Sequence, residues 1–181
     1  YLKTTIKKAP FLFAINWKTG EKKLIPISIK DYRSKDISLM NFQILNESNE
    51  IFLYVKALIK KKESDIYVIR LNDKGEKVEV FNFTKDIEKN IIDISASKIS
   101  DKKYIFNGTY SSKFTGMSEG LFFSQANKSN IDYIKFYNFL DLENFLSYLP
   151  ERKQKKIEKK KGKKEKRGKE LSFNYRIAAH G

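Results

Sequence analysis

The sequence predicts an all-β chain of repeated four-stranded antiparallel units, with a helical, Lys-rich insertion near the C-terminus. Three observations carry this reading. Short apolar runs recur between clusters of Asn, Asp, Ser and Gly; one hairpin pattern returns at offsets of 55 and 53 residues; and a single stretch, residues 140–170, breaks the strand rhythm. A chain of 181 residues is the right size for one core, and 40% hydrophobic with 14% aromatic content is too much apolar material for a disordered polypeptide. No uninterrupted apolar run reaches the ~18 residues of a membrane span, and the N-terminus lacks the pattern of a secretion signal.

Taken in order, the hairpins are of two kinds. Residues 65–83 read as a strand, a polar turn around Gly75, and a second strand. An earlier copy spans residues 10–27, with Gly20 followed by Glu-Lys just as Gly75 is, and a later copy spans residues 120–136, with the turn at residues 127–130. Between them lies the second kind, Ile37–Leu45 with residues 51–58, and residues 91–99 with 104–110, joined by turns of Asn, Ser, Asp and Lys. Each full unit therefore holds four short strands. The second and third are nearly continuous apolar runs (residues 51–55 and 66–69), which need cover on both faces, whereas the first and fourth alternate.

Four antiparallel strands in each stretch of 40–50 residues, stacked on neighbours, is the period of a β-propeller blade. The predicted organisation is thus a β-propeller segment over residues 1–139, with a partial unit at about 9–29 and full units at 37–83 and 91–139. The insertion follows at 140–170, and residues 171–181, apolar at alternate positions, supply the first strand of a further unit. Half-units at both ends, and a start at Tyr1 rather than Met, lead to the expectation of a segment from a longer protein. An ordinary β-sandwich of the same strands is the competing arrangement.

In the insertion, Leu142, Phe145, Leu146 and Leu149 fall at helical spacing with Asn138 or Asp141 available as a cap, so a short packed helix is expected there, with Pro150 ending it or starting the next. Beyond it, Glu151 to about Lys161 are good helix formers with no apolar face beyond Ile157, and Gly162 and Gly168 weaken the rest, so the sequence predicts a solvated, partly ordered basic arm. Residues 151–170 hold twelve Lys or Arg and four Glu, about half of the net charge of +15. The candidate polyanion-binding residues are Lys155, Lys156, Lys159, Lys160, Lys161, Lys163, Lys164, Lys166 and Arg167. Lys outnumbers Arg 32 to 5, which argues against base-specific reading of nucleic acid, a task suited to the bidentate guanidinium. The arm also lacks interleaved aromatics for base stacking.

Much chemistry is excluded. Without Cys there is no disulfide, thiolate metal site or cysteine nucleophile. His180, the one His, has no partner for metal or nucleophilic work. Gly108, Gly116 and Gly120 lack the helix and Lys of a phosphate-cradling loop and read as bulges or turns. Asp141 and Glu143 read as charges at a helix start rather than an acid and base couple. Tyr104, Tyr110, Phe114, Phe122, Phe123, Tyr133, Phe136 and Tyr137 read as core at strand spacing rather than as a carbohydrate platform. No catalytic, cofactor-binding or metal-ligating residue is singled out.

In the units 65–83 and 119–139, the following 141–149 segment and residues 173–180, the chain resembles uncharacterised β-propeller-like envelope proteins of Bacteroidetes. The resemblance implies an envelope or secreted location and an interaction role; a cytoplasmic location stays open. The expected function is a non-enzymatic binding or scaffold segment that contacts a protein or glycan. The alternatives are non-specific polyanion binding by the Lys-rich arm, to nucleic acid or another acidic surface, and a propeller hydrolase or lyase whose site lies outside this segment.

Overall fold

The computed structural model describes residues 10–60, 63–84, 87–112, 117–128, 130–168 and 171. Within them every repeated hairpin pattern forms a hairpin. β1 (Phe11–Ile15) pairs with β2 (Lys22–Pro26) as an isolated antiparallel ribbon. β3 (Ile37–Leu45), β4 (Glu50–Lys60), β5 (Glu63–Leu71) and β6 (Lys77–Asn82) form a first sheet in sequence order. β7 (Asn90–Ser100), β8 (Lys103–Ser111), β9 (Gly120–Asn127) and β10 (Asn130–Asn138) form a second sheet with the same order. All neighbours are antiparallel and neither sheet closes into a barrel. Gly20 and Gly75, at matching places in their hairpins, both have φ near +70°, which an L side chain rarely adopts. At Gly75 a Cβ would also stand 2.5 Å from Ile25 Cδ1, so the turn of the first sheet packs on the ribbon. Asn49, Lys102 and Lys128 take left-handed conformations in the other hairpin turns.

Stacking follows from the alternation of side chains along each strand. In β4, Phe52 and Tyr54 point one way, Leu53 and Val55 the other, and all four are shut away from solvent. Leu53 and Val55, with Ile69 and Leu71 of β5, meet Ile25 of the ribbon and Ile27. Phe52 and Tyr54, with Val68 and Phe81, meet Tyr104, Phe106 and Phe122 of the second sheet. The first sheet is therefore covered on both faces, by the ribbon and by the second sheet. Phe106 sits at the centre of an aromatic cluster, with ring centroids 4.8 Å from Phe83, 5.4 Å from Phe81 and 6.0 Å from Phe52, edge to face.

Two polar clamps cross the seam between the sheets. The Gln43 side chain, on β3, donates from Nε2 to the Ala96 carbonyl at 2.9 Å and accepts from the Ala96 N–H at 2.8 Å, completing a backbone-like pair with β7. The Tyr54 hydroxyl also donates to Gln43 Oε1 at 2.7 Å. Glu50, on β4, accepts from Ser48, Arg70, Tyr104 at 2.8 Å and Lys98 at 3.1 Å, the last two on the second sheet. Arg70 also donates to Glu79 at 3.0 Å. Burial pushes the Glu50 carboxyl up, but these four donors outweigh it and hold its pKa at about 2.

The insertion departs from expectation. Residues 142–149 wind as successive turns, not as a helix, because Asn144 takes φ +58°, a left-handed conformation that Asn tolerates but an α-helix cannot contain. Asn138 does cap, but a short 3-10 turn, Phe139–Asp141, whose Leu140 N–H it accepts. The regular helix is the basic stretch itself, α1 (Glu151–Glu165), starting after Pro150. Gly108 and Gly120 mark close approaches: a Cβ would lie 2.0 Å from the Asp93 carbonyl at the β7 bulge, or 2.1 Å from that of Tyr137. Of the aromatics read as core, Tyr104, Tyr110 and Phe122 are buried, whereas Phe123, Tyr133 and Tyr137 are over 40% exposed on the outer face of the second sheet. Phe114 and Gly116, the strand over residues 171–179 beyond Leu171, and His180 lie outside the described residues.

Two predictions test this seam. Phe106→Ala is expected to cost about 3–5 kcal/mol in urea unfolding, and Ile44→Ala, on the exposed side of β3, under about 1 kcal/mol. Glu50 is depressed from its ordinary 4.5 to about 2. The unfolded chain therefore takes up its proton first on acidification, and the stability Glu50 contributes is present above pH 4.5 and lost as pH falls through 2. The stability gap between wild type and Glu50→Gln should thus shrink by on the order of 3 kcal/mol between pH 5 and pH 2.

Candidate functional site

α1 forms where its residue types favour it: Lys, Glu, Gln and Arg lose little side-chain freedom in a helix, and Glu151 in the first turn and Lys163 and Lys164 in the last complement the helix dipole. None of its residues is fully buried. Its sidedness comes from charge. Glu151, Glu158 and Glu165 recur every seven residues and so lie along one stripe of the helix. Beside that stripe Gln154, Ile157 and Lys161 are half-buried against the 139–149 turns. The Gln154 side chain donates to the Leu149 carbonyl at 2.7 Å, and Lys161 donates to the Leu140 carbonyl at 2.9 Å and pairs with Asp141 at 2.6 Å. Under the turns, the rings of Phe139 and Phe145 stack at 4.8 Å.

Of the nine basic residues singled out in sequence, this arrangement sends eight to the solvent side. Lys155, Lys156, Lys159, Lys160, Lys163 and Lys164 project from α1, Lys166 caps its C-terminus and Arg167 follows in the next turn. Lys161 differs, since it is spent on anchoring the helix through Asp141. Asp141, in the first turn of the short 3-10 helix, is thus the ion-pair partner that holds α1. Lys155 pairs with Glu151 at 2.5 Å, but both ends are over 70% exposed, so that pair contributes little. Clefts of about 270 Å³ and 260 Å³ flank the anchor, the first lined by Asn138, Leu140, Glu165 and Leu171, the second by Leu142, Phe145, Gln154 and Ile157.

A second constellation went unseen in the sequence. Between β4, β5 and residues 30–36 lies an open cleft of about 470 Å³, lined by Lys30, Asp31, Tyr32, Arg33, Leu58 and Tyr67. At its floor the Tyr32 hydroxyl donates to Asp65 at 2.5 Å, Thr84 donates to the other Asp65 oxygen at 2.9 Å, and Asn82 donates to the Tyr67 hydroxyl at 3.3 Å. The Tyr32 and Tyr67 rings meet edge to face at 5.9 Å. Burial, and the carboxylate accepting its proton, push the Tyr32 hydroxyl up, so it stays a donor rather than a base. Two aromatic edges among carboxylate, guanidinium and ammonium groups can stack on and hydrogen-bond a polar ring such as a sugar. The hydrogen-bonded partners Tyr32–Asp65, Thr84–Asp65 and Asn82–Tyr67 lie 15 to 33 positions apart in sequence, with no short motif to betray them.

Among the described residues no group of His, Asp and Glu is placed to hold a metal ion, and no helix is long and apolar enough to cross a membrane. Comparison with protein-family models, curated proteins and solved structures finds no match. The anchor of α1 generates a prediction. Lys161→Ala should speed amide hydrogen exchange across α1 about fivefold, for loss of roughly 1 kcal/mol of anchoring, and leave exchange in β4 and β8 unchanged.

Proposed function

We propose that this chain is a non-enzymatic binding or scaffold segment of a larger β-propeller-like protein that contacts a protein or glycan partner through its connecting segments. The observation that supports this reading is the serial order of the stack. Ribbon, first sheet and second sheet follow one another in space as they do in sequence, each covering the face its predecessor leaves open. The two sheets come closest along their first strands, β3 and β7, as blades do around a central axis.

Both ends of the stack stay apolar. Phe11, Phe13, Ile15 and Leu24 are exposed on the outer side of the ribbon, and Phe123, Tyr133 and Tyr137 on the outer side of the second sheet. Leu171 borders the same cleft as Asn138 at the end of β10, so the chain, after its detour through α1, returns to where a further unit would start. In this reading residues 171–181 begin that unit and cover the second sheet. The partner is met at the rim, where Trp17 stands 85% exposed at the ribbon turn and the tyrosine cleft opens between segments. An envelope or secreted location accords with the sequence resemblance.

The chain has no Cys, so a single introduced thiol reports cleanly. Ser97 is exposed on the outer side of β7, opposite Ile105. Ser97→Cys is expected to react with a maleimide at least about tenfold more slowly in the 181-residue chain than in one ended after residue 169. Equal rates would sink the reading, as would protection that rises with protein concentration, the mark of a second copy on that face.

A further inference from the structure

α1 carries a charge pattern that the stacked-sheet reading does not use. At 3.6 residues per turn, the acidic stripe and the anchoring residues Gln154, Ile157 and Lys161 share one side of the helix, and the remaining side chains of residues 152–167 other than Gly162 are all Lys or Arg. The cationic side covers about half of the circumference, from the line of Lys155 round to that of Lys164, along the roughly 22 Å of α1. A random mixture of these residues would scatter the three Glu among the Lys. Instead the three acids line up along one edge of the anchored side, where Glu165 is 3.9 Å from the anchoring Lys161, and among the described residues Lys156, Lys159, Lys160, Lys163 and Lys164 make no ion pair.

We propose that the solvent side of α1 is a sequence-independent binding site for the phosphate backbone of B-form duplex nucleic acid. The width of the cationic face is what selects this ligand. A flat anionic surface, such as a lipid headgroup layer, touches only a narrow strip of a helix. A cylinder charged over half its girth meets phosphates on both sides at once only in a groove, and the duplex major groove, about 12 Å wide, admits a helix of 10–12 Å diameter. The one apolar side chain of α1, Ile157, faces the body, so the helix has no apolar face to insert into a bilayer. With no aromatic on α1 there is no platform for the unstacked bases of a single strand. Lys is a point charge suited to phosphates rather than a fork suited to base edges, hence the absence of sequence preference.

The test is fluorescence anisotropy with labelled 20-base-pair duplexes of two unrelated sequences, titrated with the full chain between 50 and 200 mM salt. Both duplexes should bind within about threefold of each other. The slope of log affinity against log salt should be about −5 to −7, as for six to eight neutralised phosphates. The variant Lys156→Gln, Lys159→Gln, Lys160→Gln, Lys163→Gln keeps good helix formers, checked by unchanged circular dichroism, and should lose at least about 100-fold in affinity and about 3 to 4 in slope. Duplex binding unaffected by the four substitutions overturns the proposal. So does phosphatidylserine vesicle, heparin or polyglutamate binding as tight as duplex binding in the same buffer, since the ligand would then be any anionic surface or polymer. No binding at 50 mM salt overturns it too. None of these outcomes bears on how residues 171–181 pack, so this site and the stacked-sheet reading stand or fall separately.

Discussion

A β-sheet whose central strands are apolar on both sides cannot hide itself, and this constraint organises the molecule. Along β4 neither the Phe52 and Tyr54 side nor the Leu53 and Val55 side can face water without losing about 2 kcal/mol or more for each large side chain. Folding a hairpin over one side settles only half of the problem. The ribbon takes one face and the second sheet the other, so the first sheet is a filling between two layers rather than a layer of its own. The second sheet repeats the pattern with one side occupied, and on its other side Phe123, Tyr133 and Tyr137 are over 40% exposed.

Apolar contact alone would let one sheet slide over the other, because hydrophobic burial has no direction. The polar groups in the seam have direction. Gln43 offers an amide that fits the backbone of Ala96 and little else, and a slip of one residue along β7 would replace that pair with side chains facing the wrong way. Glu50 works similarly: its carboxylate is tolerable away from water because Arg70 on its own sheet and Lys98 and Tyr104 on the next converge on it. Burial and charge compete there, and four donors decide the outcome in favour of the ionised form.

α1 obeys different rules from the sheets. It buries no residue fully and is held by a few contacts at its inner side, so helix propensity and the charge pattern, not core packing, specify it. That explains why the apolar segment before it is irregular and the polar one is regular. The leucines and phenylalanine of residues 142–149 sit at helical spacing, yet turns half-bury them and stack Phe145 on Phe139, and Asn144 bends the chain out of helical geometry. Residues 151–165 have no apolar stripe but follow Pro150 and contain strong helix formers and acids seven apart.

By itself the sequence determined what is local. Alternation, turn residues and the matched glycines marked the hairpins, because strand pairing across a tight turn depends on residues a few positions apart. The continuous apolar runs announced β4 and β5 as strands needing cover on both sides. The seven-residue spacing of the acids was also legible, and with it the turning of Lys161 toward the body could have been anticipated from its place between Glu158 and Glu165. Tertiary structure alone decided which faces meet, that Gln43 closes on Ala96, that Glu50 gathers partners from four segments, and that Tyr32, Asp65 and Thr84 share one cleft. Apart from Ser48 with Glu50, those pairings join residues 19 to 54 apart, and their geometry depends on how twisted sheets settle on one another, which is set by summed packing over the whole seam and leaves no trace in any short stretch of residues.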